Sequence, residues 1–405
     1  MIVPKLAWRN IWRNKRRTGI TLASIFFAVI LSSLMMSVKE GTYDRMIDAS
    51  IGDFMGYIQV HAKDYWEEKN LDWSFVHDED LKAQITSHKN VVAQLPRIES
   101  FALVASEDQT KGSMVVGIDP QLEAQYNKLD ERVSEGSYLS QDDNGILIGD
   151  GLAEYLDLGV GDTIVLLGQG YHGSSAAGKY AIKGIVKFGS PELSKQLIFM
   201  PLKLSQILYA TEGNINNLVL ILDNNKNSLQ ISEDLEKALS DDYEVMDWTL
   251  LNSELVDMIE ADRVEGYVFM FILYMVISFG IFGTVLMMLA ERRKEFGVLI
   301  AIGMKRIQLA VLVWLEVMLI SILGSFLGMF GAFPICYYMY ANPIAIEGEM
   351  SEMTEEYGME AVVQASIDPM VFANQAIVVA ILASIIALYP LFKLLRVRAI
   401  DEMRS

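Results

Sequence analysis

Four long stretches with almost no charged residues dominate the hydrophobic pattern of this 405-residue chain. Residues 18–38, 267–290 and 370–392 carry no charged side chain, and residues 307–340 carry one, Glu316. A helix of about 20 apolar residues crosses a bilayer core, and each stretch reaches that length. Buried helices of a large soluble protein would also be apolar, but four such runs in one chain favour membrane helices. The pattern therefore predicts an integral membrane protein with four transmembrane α-helices.

Residues 39–266, between the first and second stretches, show a different pattern that mixes strands and helices. Alternation and short apolar runs predict strands at 56–62, 101–107, 113–119, 145–149, 162–167, 180–188, 196–202 and 216–222. Helical periodicity predicts helices at 76–90, 150–158, 201–210 and 228–239. We expect a large α+β domain inserted between membrane helices 1 and 2, so that the helices are arranged as one plus three.

This domain is long enough to have a core of its own. We expect residues 40–120 and 215–262 to form one α+β part near the membrane, and residues 121–214 to form a β-rich insertion. Acidic side chains on the helices are expected on solvated faces, for example Asp80, Glu123 and Asp234.

Lysine and arginine cluster in short polar segments, and this distribution predicts the orientation in the membrane. Six of the 33 basic residues precede residue 18, five lie in 291–306, and four follow residue 392. The loop 341–369 has none and carries seven acidic residues. The amphipathic N-terminal segment 1–17, the segment 291–306 and the tail 393–405 are therefore expected in the cytoplasm. The domain 39–266 and the acidic loop 341–369 are expected outside it.

A secretory signal peptide is the alternative interpretation of residues 18–38, because basic residues precede this stretch. The stretch is longer than the apolar core of a typical signal peptide, and no small-x-small cleavage pattern follows it. We therefore interpret residues 18–38 as a retained membrane helix.

Composition narrows the classes of function. The net charge is −19, and residues 39–266 hold 40 acidic against 18 basic residues, so we expect no nucleic-acid partner. The one cysteine, Cys336, excludes an internal disulfide framework, and the four scattered histidines argue against a zinc site. Since no Ser/His/Asp or Cys/His arrangement is readable, we expect a non-enzymatic chain without catalytic residues, bound cofactor or metal.

The stretch GSSAAGKY, residues 173–180, resembles a phosphate-binding loop. Gly173, Gly178 and Lys179 have the G-x-x-x-x-G-K spacing, but Tyr180 replaces the Ser or Thr whose hydroxyl would hold Mg²⁺. The sequence alternates as a strand on both sides, whereas a phosphate-binding loop leads into a helix. The stretch is predicted to be the tip of a β-hairpin on the external side, where ATP is absent.

The segment ERRKEFGVLIAIGMKRIQ, residues 291–308, is charged at both ends and apolar in the middle. Phe296, Leu299, Ile300 and Ile302 fall at near-helical spacing, which is typical of a small amphipathic helix that presents an apolar face to a partner. A plain connector held at the membrane interface by its arginines fits the same residues. The residues alone leave both interpretations open.

Two features of the membrane stretches indicate close packing. A charged Glu316 in a membrane helix is costly, so it is expected to face protein or water and to make a polar packing contact in the bundle. Proton coupling is a second interpretation, although the sequence shows no basic partner within the membrane. Small residues let helices approach closely, which favours Gly324, Gly328 and Gly331 as packing positions, within the subunit or across a dimer. Gly280 and Gly283 give a weaker signal of the same kind.

Several segments together resemble FtsX/MacB-type ABC transporter permeases. The family segment E-R-x-x-E-x-G-x-L-x-A-x-G is matched by Glu291, Arg292, Glu295, Gly297, Leu299, Ala301 and Gly303. Residues 6–21 resemble the N-terminal surface helix of the family. Residues 56–62 and 189–202 are similar to the lipoprotein-releasing (LolC/LolE-type) branch. Residues 389–404 resemble the C-terminal end of the family, with departures at Leu391, Leu394 and Ala399.

The resemblance implies a MacB-like extracytoplasmic domain and a coupling helix at 291–306 that docks on a separate ATPase subunit. The coupling residues are then expected to be Glu291, Arg292, Arg293, Glu295, Phe296, Gly297, Leu299, Ala301 and Gly303. Two copies of the ATPase would bind ATP and Mg²⁺, and the permease would pair with a second permease, identical or related. The implied location is the bacterial inner membrane, in contact with membrane lipid.

The resemblance also implies a function, the release of lipoproteins from the membrane to a soluble periplasmic carrier. A MacB-like exporter of peptides or small molecules and an FtsX-like signal relay to a cell-wall hydrolase are the alternatives, although the external domain looks large for the relay. The hairpin loop 168–178 matches the position that hooks the carrier, but it is short and lacks the proline of the family loop. Carrier contacts there would involve Tyr171, His172, Ser174 and Ser175.

Overall fold

The computed structural model describes residues 2–13, 15–106, 109–345, 348, 362–390 and 392. The predicted tail 393–405, most of the acidic loop 341–369 and the departures at 391, 394 and 399 lie outside these residues. The chain divides into a helical unit, made of residues 1–44, 258–345 and 362–405, and a sheet unit that contains residues 45–257.

The described helices follow one another along the chain as α1 (Ile2–Arg13), α2 (Lys15–Ile47), α3 (Tyr65–Glu68), α4 (Glu79–Thr86), α5 (Pro120–Asn127), α6 (Asp150–Leu156), α7 (Pro191–Gln196), α8 (Leu202–Tyr209), α9 (Ser228–Ala238), α10 (Trp248–Leu251), α11 (Ser253–Glu291), α12 (Arg293–Ala301), α13 (Arg306–Ala341) and α14 (Pro369–Ile386). A π-helix, Asp48–Met55, follows α2.

The strands alternate with these helices as β1 (Ile58–Ala62), β2 (Phe75–Val76), β3 (Val91–Ala105), β4 (Thr110–Ile118), β5 (Val133–Gly136), β6 (Ile146–Gly149), β7 (Thr163–Gln169), β8 (Ser175–Val186), β9 (Leu197–Pro201), β10 (Asn214–Ile215), β11 (Asn217–Leu222), β12 (Tyr243–Asp247), β13 (Ile344–Ala345) and β14 (Val362–Val363). Each strand and helix predicted within 39–266 is present, with bounds that differ by a few residues. The exception is the strand predicted at 101–107, which starts at Val91 as part of β3.

The four apolar stretches form helices that are long and apolar enough to cross a membrane. In the described residues these spans are Thr18–Gly52, Ser253–Glu291, Arg306–Ala341 and Pro369–Pro390. Helices α2 and α11 extend well beyond the predicted stretches 18–38 and 267–290 into charged sequence. The charged extensions pair with each other, since Lys39 Nζ lies 2.9 Å from Asp262 Oδ2 and the Tyr43 hydroxyl donates to the same carboxylate.

Helix α13 packs closely against α2 within the helical unit. A Cβ added at Gly328 would lie 2.7 Å from the Val29 Cβ, and one at Gly324 would lie 3.0 Å from the Ile25 Cβ. Gly331 lies in the same way against the Phe26 ring. These glycines therefore allow the two helices of one chain to approach. Among the described residues, Gly280 and Gly283 of α11 have no such neighbour within 4 Å.

The sheet unit contains a ten-stranded sheet among the described residues, ordered β12-β1-β11-β3-β4-β9-β6-β8-β5, with β7 paired to β3 and β8. The long strand β3 belongs to both halves of it. Its first part, up to Arg97, pairs with β11, and its second part, from Ile98, pairs with β4. The predicted boundary at residue 120 is therefore wrong: 98–118 belong with the β-rich half, because β4 also pairs with β9.

The expectation that Glu123 is solvated is also wrong. Glu123 lies on α5 and is 2% exposed, because it binds the buried Arg97 of β3 through both carboxylate oxygens. The Nε–Oε1 distance is 2.7 Å and the Nη2–Oε2 distance is 3.1 Å. An acidic residue on an amphipathic helix is ordinarily solvated, and only the tertiary contact with β3 changes this.

Candidate functional site

The segment 291–306 forms a short helix between two long ones. Helix α11 ends at Glu291, Arg292 leaves the helical conformation, and α12 begins at Arg293. After Ala301 the chain reverses through Gly303, whose φ of 105° favours glycine. Met304 N donates to the Leu299 carbonyl and Gly303 N to the Ile300 carbonyl, the pattern of a Schellman motif. The motif explains why a glycine occupies position 303, and it ends α12 just before α13 begins.

A buried polar network connects this segment to α1 and α13. Arg292 Nη1 donates to Glu316 Oε2, and both side chains are buried in the helical unit. Asn10 Nδ2 of α1 donates to the other oxygen of Glu316 at 2.6 Å. The basic partner that the sequence did not reveal is therefore Arg292, which enters the bundle from the turn between α11 and α12.

Glu295 and Phe296 complete the network. Arg292 Nε and Arg13 Nη2 each lie 3.1 Å from Glu295 Oε2, so this carboxylate bridges α12 and α1. The Arg292 guanidinium lies 5.3 Å from the centre of the Phe296 ring, and that ring is buried in the core of the helical unit. A small cleft, lined in part by Asn10, Arg13, Thr21, Arg292 and Glu316, opens beside the network.

The predicted apolar face of the segment 291–306 is only partly displayed. Phe296 is buried in the helical core, whereas Leu299 and Ile300 pack against that core and stay partly exposed. Val298 and Ile302 are 53% and 79% exposed, one helical turn apart. Phe296, Leu299 and Ile300 thus anchor α12 on the helical core, whereas Val298 and Ile302 are accessible to a partner.

The other residues predicted in this segment divide in the same way. Arg292 and Gly297 are buried, whereas exposed positions are occupied by Glu291, Arg293, Glu295, Ala301 and Gly303. The structure thus brings Arg292, Glu295 and Glu316 together. The sequence analysis missed Asn10 and Arg13, although the amphipathic pattern of 1–17 already indicated a surface helix close to the bundle.

A buried ion pair of this kind does more for geometry than for stability. Transfer of two charges from water into a low-dielectric interior costs several kcal/mol per ion, and the mutual attraction only offsets this when the geometry is good. Removal of one partner is strongly destabilising, because the other charge stays buried. The network therefore holds α1, α12 and α13 in one arrangement, and displacement of α12 has a direct route to α13.

The stretch 173–180 is a hairpin, as predicted. Strands β7 and β8 pair antiparallel from Thr163↔Ala181 to Gln169↔Ser175, and a tight turn, Tyr171–Gly173, joins them. The glycine-rich residues continue into the strand β8 and not into a helix. Their backbone N–H groups therefore do not converge on one point, as they do at the helix N-terminus of a phosphate-binding loop. Lys179 is an exposed strand residue opposite Val165.

The predicted carrier contacts sit at the tip of this hairpin. The His172 N–H donates to Asp72 Oδ1 at 2.6 Å, and the Tyr171 and His172 rings lie 3.9 Å apart. Ser175 is exposed, whereas the hydroxyl of Ser174 is buried. The tip therefore packs on the turn at Leu71–Trp73. Next to this contact, Tyr171 is partly exposed and His172 is exposed to solvent. Among the described residues, no group of three His, Cys, Asp or Glu side chains is placed to hold a metal ion.

Comparison with known families gives two matches that together span most of the chain. Residues 18–238 match the model of the MacB-like periplasmic core domain, and residues 267–399 match that of the FtsX-like permease C-terminal region.

Among curated proteins, the chain is similar to the lipoprotein-releasing system transmembrane protein LolC of Neisseria meningitidis. The two are 21% identical over 334 residues, which cover 79% of this chain and 77% of that protein. The LolC protein of Xylella fastidiosa (strain Temecula1) is 24% identical over 340 residues, or 79% and 78% of the two chains.

Among solved structures, the extracellular domain of the transporter YknZ from Gram-positive bacteria is 14% identical. It aligns with a TM-score of 0.33, over 47% of this chain and 100% of that one. The periplasmic region of MacB from Actinobacillus actinomycetemcomitans is 10% identical and has a TM-score of 0.34, over 50% and 94%.

Proposed function

We propose that this chain, which belongs to the FtsX/MacB-type family of ABC transporter permeases, couples ATP hydrolysis on a separate subunit to movement of its extracytoplasmic domain. The proposed cargo is a lipoprotein that the complex releases from the bacterial inner membrane. The similarity to LolC proteins over 79% of the chain supports this cargo. We assign the chain a non-catalytic role as the membrane subunit.

The proposed topology is one membrane helix, the extracytoplasmic domain, and then three further membrane helices. The distribution of lysine and arginine supports both termini and the segment 291–306 in the cytoplasm. The acidic block 39–266 then lies in the periplasm, where its net charge of −22 (18 basic minus 40 acidic residues) keeps it soluble.

The proposed complex contains two copies of the ABC ATPase, which bind ATP and Mg²⁺, and a second permease that is identical or related. Each ATPase contacts the segment 291–306 of one permease. A periplasmic carrier is the proposed acceptor of the lipoprotein, and its proposed contacts are Tyr171, His172, Ser174 and Ser175 at the tip of the β7–β8 hairpin.

The observation that carries the proposal is the buried network at Arg292. A movement of α12 acts on α13 through Arg292 and Glu316, and on α1 through Glu295, Arg13 and Asn10. Because hydrogen bonds join Arg292 to Glu316 and join both α12 and α13 to α1, the three helices are expected to respond as one body. A force that the ATPase applies to α12 is therefore transmitted through these contacts to the helices α1 and α13.

The test uses the most exposed aliphatic residue of the segment. Ile302→Asp is expected to abolish co-purification of the ATPase and ATP-dependent release of lipoprotein from proteoliposomes. The matched control is Ile207→Asp in the sheet unit, because Ile207 is 77% exposed and Ile302 is 79% exposed. The control is expected to behave as wild type. Normal assembly and release by Ile302→Asp would contradict the docking of the ATPase at this segment.

The orientation is tested separately by cysteine labelling. Lys294→Cys and Ser175→Cys place thiols at exposed positions, and the natural Cys336 is buried, so its background labelling is low. A membrane-impermeant maleimide added to spheroplasts is expected to label position 175 and to reach position 294 only after lysis. The reverse result would contradict the proposed topology.

A further inference from the structure

The sheet unit begins with the last residues of α2 and an unusual element, a π-helix. Helix α2 ends at Ile47 and continues as a π-helix, Asp48–Met55, in which Gly56 N donates to the Ile51 carbonyl at 2.7 Å. The π form is rare and is frequently found at functional positions. At Gly56 the chain turns into β1 with a φ of 76°, and a Cβ there would lie 2.3 Å from Val219 Cγ1. The helix end therefore lies directly against β11.

The last two carbonyls of the π-helix accept hydrogen bonds from buried side chains of the sheet. Arg97 Nη1 of β3 donates to the Phe54 carbonyl at 2.6 Å, and Gln59 Nε2 of β1 donates to the Met55 carbonyl at 2.7 Å. Strands β1 and β3 are the two neighbours of β11 in the sheet. Three adjacent strands thus hold the helix end, two by hydrogen bonds and the central one by contact with Gly56.

Arg97 makes the most complex of these contacts. Its side chain is 1% exposed, binds Glu123 through two hydrogen bonds, and lies 3.7 Å from a Glu99 oxygen. The guanidinium also lies 5.1 Å from the centre of the Phe54 ring. A positive charge at the C-terminal end of a helix is favourable, because the free carbonyls there carry partial negative charge. Arginine alone among the side chains offers a planar fork for the carboxylate and further donors for the carbonyl.

We infer that Arg97 is a positioning residue that fixes the π-helix Asp48–Met55 on the sheet. An ion pair buried this deeply adds little net stability over apolar side chains of the same volume, so its effect is to fix geometry. The inference rests on the proposed function in one respect: movement of the membrane helix is the input that Arg97 passes on. The structural part of the inference is that Arg97 restrains residues 48–56, and this part does not depend on which cargo the complex releases.

The structural part is tested by hydrogen exchange on the full-length complex in nanodiscs. Arg97→Met removes the fork and the charge, and Arg97→Lys keeps the charge without the fork. Exchange in 48–56 is expected to be at least tenfold faster in Arg97→Met and intermediate in Arg97→Lys. The control is Asp143→Asn, which breaks the Lys183–Asp143 pair elsewhere in the sheet unit and is expected to leave 48–56 unchanged. Unchanged exchange in both Arg97 variants would overturn the inference.

The functional part is tested by the amount of lipoprotein released per ATP hydrolysed. Arg97→Met is expected to lower this ratio at least tenfold while ATP hydrolysis stays within twofold of wild type, and Arg97→Lys is expected to recover part of it. Should Arg97→Met fail to fold, Arg97→Lys and Gln59→Leu, which removes the second hydrogen bond, carry the same test. Faster exchange with an unchanged ratio would overturn the role in transmission. A wild-type complex that hydrolyses ATP without releasing lipoprotein would contradict the proposed function, and the exchange result would still decide the structural part.

Discussion

Replacement of Arg292 by methionine removes one partner of the buried ion pair with Glu316. The carboxylate keeps the Asn10 amide as a hydrogen-bond donor but stays buried. Loss of one partner of such a pair costs about 3–5 kcal/mol, because the remaining charge is uncompensated. Arg292 also contacts Glu295 at 3.1 Å and the Phe296 ring at 5.3 Å. We therefore expect a loss of stability in the upper half of this range, about 4–5 kcal/mol.

The assay compares thermal unfolding of the purified chain with that of a double variant. Arg292→Met together with Glu316→Leu leaves no unpaired charge, so it is expected to cost about 1 kcal/mol or less. At about 2–4 °C per kcal/mol, the single variant is expected to lower the Tm by about 10 °C or more and the double variant by a few degrees at most. Lys294→Met, at an exposed neighbouring position, is the control and is expected to change little.

Equal losses in the single and the double variant would refute the reasoning, since they would show that Arg292 and Glu316 do not depend on each other. The double variant also separates stability from function. It is expected to fold and to assemble with the ATPase but to release less lipoprotein per ATP, because α12 has lost its hold on α13. A stable double variant with full release would contradict the role proposed for the network.

Three further predictions concern other parts of the chain. Gly328→Ala is expected to destabilise the helical unit by about 1–3 kcal/mol, because the new Cβ would lie 2.7 Å from that of Val29. Gly280→Ala, at a position where no described residue lies within 4 Å of the new Cβ, is the control in the same Tm assay. His61 has a pKa lowered by burial from 6.5 to about 4, so the folded state binds fewer protons than the unfolded state between these values. The contribution of His61 to stability is then complete above pH 6.5 and is lost at about 1.4 kcal/mol per pH unit on acidification towards pH 4; in chemical unfolding, His61→Gln is expected to lack this part of the slope. Lys179→Ala is expected to leave ATP turnover of the complex unchanged, because the residue lies on a strand.

A specific result would contradict each of these three predictions. Equal Tm values for the two glycine variants would show that α2 and α13 do not pack through Gly328. An unchanged pH slope in His61→Gln would show that another group takes up the proton. Loss of ATP turnover in Lys179→Ala would reopen nucleotide binding at the hairpin.

Local patterns determined much of the architecture. The apolar lengths predicted four helices that are able to cross a membrane, and the alternation of residues predicted the strands of the α+β domain, because both signals arise within a single element. The hairpin at 173–180 was predicted for the same reason, since strand periodicity on both sides outweighs a chance match to a phosphate-binding motif. The sequence also marks the segment 291–306 and Glu316 as candidate functional positions, each from its own local pattern.

Contacts between distant positions were decided by packing alone. Arg292 meets Glu316 across 24 positions of the chain and Asn10 meets it across 306, and nothing in the periodicity of either helix encodes that meeting. Glu123 is buried although its helical pattern predicts a solvated position, because an amphipathic pattern shows that a helix has two faces but not which partner covers each face. The sheet divides within β3 and not at residue 120, because strand pairing joins residues that lie far apart in the sequence. Periodicity acts over a few residues, whereas burial and charge pairing depend on the whole fold.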